Sequence, residues 1–198
     1  MKSQFKITNQ ELITNILNNA KYGTLALCSN NKPYSVPLNF VCVDNDIYFH
    51  GSIKGKKMKI LKENSFASFS VVEEFSMIQS YFSSTDNLAC PSTQFFKSVC
   101  IDGEIKIVDN YDEKVLALQR LMEKLQKEGK YKHLNDKVYT KMINATAIFK
   151  LIATSINGKI KVGQHLSDER FNMIIEHLKN RASSIDLLTI KEMEKYKK

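Results

Sequence analysis

Residues 33–61 read PYSVPLNFVCVDNDIYFHGSIKGKKMKIL, and the way this stretch divides into elements decides the fold. Tyr34 to Val43 is a nearly unbroken run of apolar and β-prone residues, which predicts one strand covered on both faces. Asp44-Asn45-Asp46 supplies a tight hairpin turn, because Asp and Asn tolerate the left-handed backbone such turns need. A second strand, Ile47 to Phe49, delivers His50 and Gly51 into a loop that turns helical through Met58, Ile60 and Leu61. A small-residue loop running into a helix N-terminus exposes unpaired N–H groups suited to an anion. Lys54, Lys56 and Lys57 add full charges beside it. A solvated lysine face would give the same pattern, and the helix dipole opposes cations at that end. A bound anion would account for their presence.

Outward from this stretch, Thr8-Asn9-Gln10-Glu11 has the form of a capping box, and Leu12, Ile13, Ile16 and Leu17 follow at helical spacing. Gly23 is expected to stop that helix, with a strand from Thr24 to Cys28 and a turn at Asn30-Asn31-Lys32-Pro33. On the other side, Phe66 to Val72 reads as a strand ended by Glu73-Glu74, with a separate short strand from Met77 to Phe82. The polar run from Ser83 to Thr93 is a surface loop, either a plain connector or a substrate lid. Phe95 to Val108 predicts a long strand bent at Gly103. Tyr111 to Lys127 predicts a helix, Tyr131 to Met142 a further helical stretch, and Ala145 to Ile156 the last long strand. Asn157-Gly158 has hairpin-turn chemistry; helices are expected from Ser167 through Leu178 and from Ser184 to Lys195. The sum is a mainly β chain with flanking helices (α+β), one domain over residues 1–198 with a helical extension from about residue 166.

With 198 residues, 43% of them hydrophobic, the chain can bury a full core. No run nears the roughly 18 apolar residues that cross a bilayer, and Met1-Lys2-Ser3 leads into polar sequence. A cytoplasmic location without membrane contact is expected. Cys28, Cys42 and Cys100 fall in strand readings and Cys90 in a loop, with no Cys-x-x-Cys pair, so buried thiols are expected. His50, His133, His165 and His177 show no metal-ligand spacing, so no metal site is expected. A net charge of +8, from 29 basic and 21 acidic residues, favours anionic partners. Arginine is confined to Arg120, Arg170 and Arg181, which argues against sequence-reading contacts to DNA. Neither a Gly-x-Gly-x-x-Gly nor a P-loop pattern occurs.

Four segments occur in a fixed order: Gly23-Thr24-Leu25-Ala26, Val36-Pro37-Leu38-Asn39-Phe40, Tyr48-Phe49-His50-Gly51 and Gly55-Lys56-Lys57. Together with Lys97-Ser98-Val99-Cys100-Ile101-Asp102-Gly103, they resemble the FMN-binding split-barrel proteins related to pyridoxamine 5'-phosphate oxidase. Within that group the chain is similar to the nitroimidazole-resistance branch. The resemblance implies a split β-barrel homodimer with FMN as cofactor, shared between subunits. It sets the backbone of Val36, Pro37, Leu38 and Asn39 against the ring edge, and Phe49, His50 and Gly51 beside the flavin or its phosphate. Lys56 and Lys57 would neutralise the phosphate and Ser98 would add a hydroxyl. The family's Lys-x-Ser-Gln-like segment has Gly163 in place of serine here, which leaves Gln164 as a candidate contact from the partner chain. A flavin needs no protein acid/base pair to move electrons. The implied activity is an FMN-dependent oxidoreductase reducing a small nitroaromatic or quinone-like acceptor. Vitamin B6 oxidation is disfavoured, because the chain has no tryptophan and no counterpart of the oxidases' C-terminal arginine. A non-enzymatic FMN-binding transcriptional regulator, or a haem-binding split-barrel protein using His50 or another histidine, are the alternatives.

Overall fold

In the computed structural model, which describes residues 2–197, a short strand β1 (Lys6–Ile7) and helix α1 (Gln10–Asn19) open the chain. Asn9, rather than Thr8, caps α1: its side-chain oxygen accepts from the Leu12 N–H at 3.1 Å. Two turns then set up the sheet. The first joins β2 (Tyr22–Ser29) to β3 (Lys32–Asn39); the second joins β4 (Val41–Val43) to β5 (Asp46–Gly51). Asn30 and Asn31 take φ of 50° and 58°, and Asp44 and Asn45 take 51° and 72°. Positive φ at both central residues marks the two-residue hairpin loop whose twist matches its strands.

Helix α2 (Lys56–Glu63) leads to three long strands, β6 (Phe66–Ile78), β7 (Thr93–Val108) and β8 (Ala147–Lys161). Helices α3 (Tyr111–Leu125) and α4 (Thr140–Ala145) lie between β7 and β8, and α5 (Asp168–Arg181) and α6 (Ser184–Tyr196) follow. The sheet is antiparallel with order β3-β2-β6-β7-β8-β5-β4, and β1 pairs β8. Strands β3 and β4 therefore stand at opposite edges, yet Phe40 alone separates them in the chain. One residue spans both edges only if the sheet curls until they meet, which closes it as a split barrel.

The chain forms two compact units: residues 9–71 with 99–157, and the remaining segments, of which Val72–Ser98 is the central one. In the first unit, Leu25, Phe40, Phe49, Phe69, Ile101 and Phe149 are buried to within 1%. Helix α3 is tied to β5 and β8 by the Tyr48 hydroxyl, which donates to Glu113 at 2.8 Å, and by Lys150, 3.2 Å from Asp46 and 3.3 Å from Glu113. In the second unit, Asp186 of α6 is fully buried. It accepts from the Ser76 hydroxyl at 2.5 Å and from Arg181 Nε at 2.8 Å, and the Arg181 guanidinium holds its carboxyl well below the usual carboxylate range.

Several expectations change. The run from Tyr34 to Val43 is two strands, and β3 is an edge strand whose Ser35, Pro37 and Asn39 are exposed; a prolyl nitrogen, having no N–H, suits an edge. His50 and Gly51 belong to β5, paired with Ile148 and Ala147. Gly23 lies within β2 because a Cβ there would overlap the Phe69 ring. Strand β6 runs on through Glu73-Glu74, where Lys97 faces Glu73 at 3.7 Å, so no separate strand starts at Met77. Asn157-Gly158 makes no turn, since Gly158 pairs with Ile7 and stays extended within β8. The stretch from Tyr131 is helical in α form only from Thr140. Cys28, Cys90 and Cys100 are exposed and Cys42 is half-buried; Cys28 and Cys100 alternate along their strands with the buried Leu27 and Ile101, so they point to the opposite face. Gly103 sits in β7 where a Cβ would overlap the Ile152 carbonyl. Gly103→Ala should therefore lower the unfolding free energy by about 2 kcal/mol or more, read as a shifted urea midpoint at unchanged slope.

Lys124 of α3 clamps the barrel closure: its ammonium donates to the Leu17 carbonyl at 2.8 Å and the Phe40 carbonyl at 3.0 Å, 3.5 Å above the Phe40 ring. Burial pushes its pKa down to about 8 from 10.5. Between those pH values the unfolded chain holds a proton that the folded chain has released, so stability from this group rises with pH. Relative to Lys124→Met, the wild type should gain roughly 1–2 kcal/mol from pH 8 to 10.5 in urea unfolding, after discount for partial solvent screening.

Candidate functional site

Strands β5 and β8 run side by side with Phe49 opposite Phe149. Their rings stack with centroids 5.2 Å apart and planes 13° off parallel. Lys57, in the first turn of α2, lays its ammonium against this pair, 4.2 Å from the Phe149 centroid and 5.2 Å from that of Phe49. Gly51 makes room for it, since a Cβ there would overlap Lys57 Nζ. Burial lowers the Lys57 pKa, and among the described residues no carboxylate forms an ion pair with it. Cation–π contact returns only about 0.5–2 kcal/mol to a partly desolvated ammonium, and an anion would relieve the rest.

The backbone adds to this. Gly55 precedes α2 with φ 99°, a conformation that favours glycine, and no side chain caps the helix. The first N–H groups of α2 are thus left for a ligand beside Lys56 and Lys57. Lys56 is exposed and stands 4.8 Å over the Tyr34 ring of β3. Cations at a helix N-terminus oppose its dipole, and an anion bound there would make the arrangement favourable.

The first unit thus brings together Phe49, Gly51, Lys56 and Lys57. His50 is exposed on the same strand. Val36 and Leu38 are half-buried on β3, while Pro37 and Asn39 alternate outward; the Asn39 amide donates to the Lys21 carbonyl at 2.8 Å. Ser98 and Gln164 belong to the second unit. Ser98 is half-buried in β7. The Gln164 amide donates to the carbonyls of Ile160 at 3.0 Å and Gln4 at 3.1 Å, and its oxygen accepts from the Val162 N–H at 3.0 Å. Tyr34 and Phe149, the aromatic supports of the two lysines, lie outside the predicted set, because each meets its lysine across different elements of the fold, and such contacts leave no periodicity to read. Among the described residues, no group of three His, Cys, Asp or Glu side chains is placed to hold a metal ion, and no helix is long and apolar enough to cross a membrane.

Fold and loop together define a split-barrel protein with an anion-receptive helix start. The model of the pyridoxamine 5'-phosphate oxidase family matches residues 9–160, and the chain belongs to that family. A protein from Bacteroides thetaiotaomicron named for 5-nitroimidazole antibiotic resistance superimposes with TM-score 0.63 at 18% identity, over 78% of this chain and 86% of its own. A flavocytochrome from Azotobacter vinelandii gives TM-score 0.65 at 22% identity, over 85% and 76%. An FAD and heme binding protein from Mycobacterium smegmatis gives 0.60 at 19%, over 79% and 73%. At these identities the likeness is one of fold. No curated protein matches the chain.

The Gly51 pocket for the ammonium is directly testable. Gly51→Ala should displace only the flexible end of Lys57, leaving the unfolding free energy within about 1 kcal/mol. The Lys57 pKa should return toward 10.5, followed by the pH dependence of its 13Cε resonance. An unmoved titration would place the ammonium elsewhere.

Proposed function

We propose that this protein binds FMN and works as an oxidoreductase on a small nitroaromatic or quinone-like acceptor, as a homodimer. The observation that carries the reading is Lys57, a half-buried ammonium with no carboxylate ion pair among the described residues, at an uncapped helix start. Lys57 and Lys56, with the free N–H groups of α2, would hold the phosphate. Val36, Pro37, Leu38 and Asn39 offer an edge strand whose backbone remains open to the ring, beside Phe49, His50 and Gly51. Ser98 is proposed to add a hydroxyl, and Gln164 of the partner chain a further contact to the cofactor. When bound, a flavin supplies reversible electron transfer; the chain binds it, orients it and sets the charge around it. The membership in the pyridoxamine 5'-phosphate oxidase family and the flavin named for two of the similar structures support a flavin as the cofactor. Oxidation of pyridoxamine 5'-phosphate itself is disfavoured in this reading, because the chain has no tryptophan to match the oxidases'.

The visible spectrum of the purified protein tests the reading. A flavin spectrum with FMN as the released species is expected, and Lys57→Ala should weaken FMN binding about ten- to a hundredfold, the worth of one charge-assisted contact. A haem band in place of the flavin, or undiminished affinity in the variant, would overturn it.

A further inference from the structure

The second unit holds a cavity of about 290 Å³, beneath the loop that follows Phe82 and beside the ends of β7 and β8. Its apolar wall includes Phe95, Leu166 and Ile174, while Lys161, His165 and Arg170 supply the charge. No Asp or Glu is among the residues that line it. The bases are placed by a built turn. Gly163, at φ 81°, accepts at its carbonyl from the Leu166 N–H at 3.0 Å, and the Gln164 amide ties the same turn to the carbonyls of Ile160 and Gln4. Lys161 enters this turn and His165 lies within it, and both line the cavity.

Each base is fixed, yet none forms an ion pair among the described residues. Lys161 donates to the Thr93 hydroxyl. Burial and the nearby Lys159 push its pKa down. Arg170 donates from Nε to the Ser83 carbonyl and from Nη2 to the Ser83 hydroxyl, both at 3.2 Å, leaving Nη1 for a ligand. His165 is held edge-on by Phe5 at 5.1 Å. Burial lowers its pKa first, and Lys161, Arg170 and Lys2 lower it further. Elsewhere in the same unit a buried base meets its acid: Lys97 lies 2.7 Å from Glu192. Converging cations in a recess, with neutral hydroxyls and a carbonyl as their hydrogen-bond partners among the described residues, concentrate positive potential on the space they line.

We infer that this cavity binds a small organic monocarboxylate, its carboxylate on Lys161 and Arg170 and its apolar body against Phe95, Leu166 and Ile174. The size lies at the small end of ligand pockets. Two side-chain donors with a neutral imidazole suit a single planar carboxylate. A phosphate dianion is opposed by Asp86 and Glu169, which line an adjoining recess that shares Arg170. The cavity shares no residue with the proposed cofactor set, so the inference goes beyond that reading.

The test follows the His165 ring resonances by NMR in the full chain during titration with benzoate, acetate and inorganic phosphate. Benzoate should shift them saturably with Kd about 1 mM or below. It should also raise the His165 pKa, because a carboxylate offsets Lys161, Arg170 and Lys2. Acetate, lacking the apolar body, should bind at least about tenfold more weakly. Lys161→Gln combined with Arg170→Gln should abolish the response. The inference is overturned by a wild-type His165 that does not respond saturably to benzoate, by an equal response in the double variant or at the exposed His50, or by saturation with phosphate alone. None of these readings depends on flavin content.

Discussion

The passage of the chain from one edge of the sheet to the other through Phe40 is the constraint on which the first unit depends. A fully buried ring at that junction meets Phe69 edge-on at 4.8 Å and carries the Lys124 ammonium on its other contacts. The closure leaves β3 as an edge strand with half its residues exposed, and it brings the Tyr34 ring of that strand to Lys56. The lysine loop is therefore presented by a closed scaffold, with β5, β8 and α2 fixed around it. Rigid elements rather than the loop itself set the position of the charges.

The basic side chains divide by what answers them. Lys97 has Glu192, joining β7 to α6; Lys150 has Asp46 and Glu113, joining β8 to β5 and α3; and Arg181 has Asp186, joining α5 to α6. Lys124 is answered by two carbonyls. Among the described residues, Lys57 meets aromatic faces and Lys161 a hydroxyl, and neither forms an ion pair. A charge taken from water without a counter-charge is unfavourable, so these two positions are where an anion contributes most. An excess of +8 says that anionic partners are favoured, but only the pairing pattern says where.

Much of the architecture follows from short-range chemistry. Asn30-Asn31 and Asp44-Asn45 form turns because these side chains tolerate positive φ, and the order of the motifs around them is that of the split barrel. The stripes of α1 and α5 bury Ile16, Leu17, Ile174 and Leu178, as helical spacing requires. The lysines at the start of α2 are likewise visible along the chain, because their neighbours there are sequence neighbours.

Tertiary structure decided what depends on distant partners. Asn157-Gly158 has the composition of a turn, yet pairing with β1 holds it straight, and that pairing joins residues about 150 positions apart. Glu73-Glu74 resembles a strand end, but a lysine on the neighbouring strand lets β6 continue. Gly23 and Gly103 are glycine because Phe69 and the Ile152 carbonyl approach too closely for a side chain, which no local pattern announces. The sequence by itself determined the turns, the amphipathic helices and the basic loop, all governed by contacts within a few residues. The edge strand, the aromatic bed of Lys57 and the basic cavity around His165 arose only once the sheet closed and remote side chains met, because burial and pairing are properties of three-dimensional neighbours.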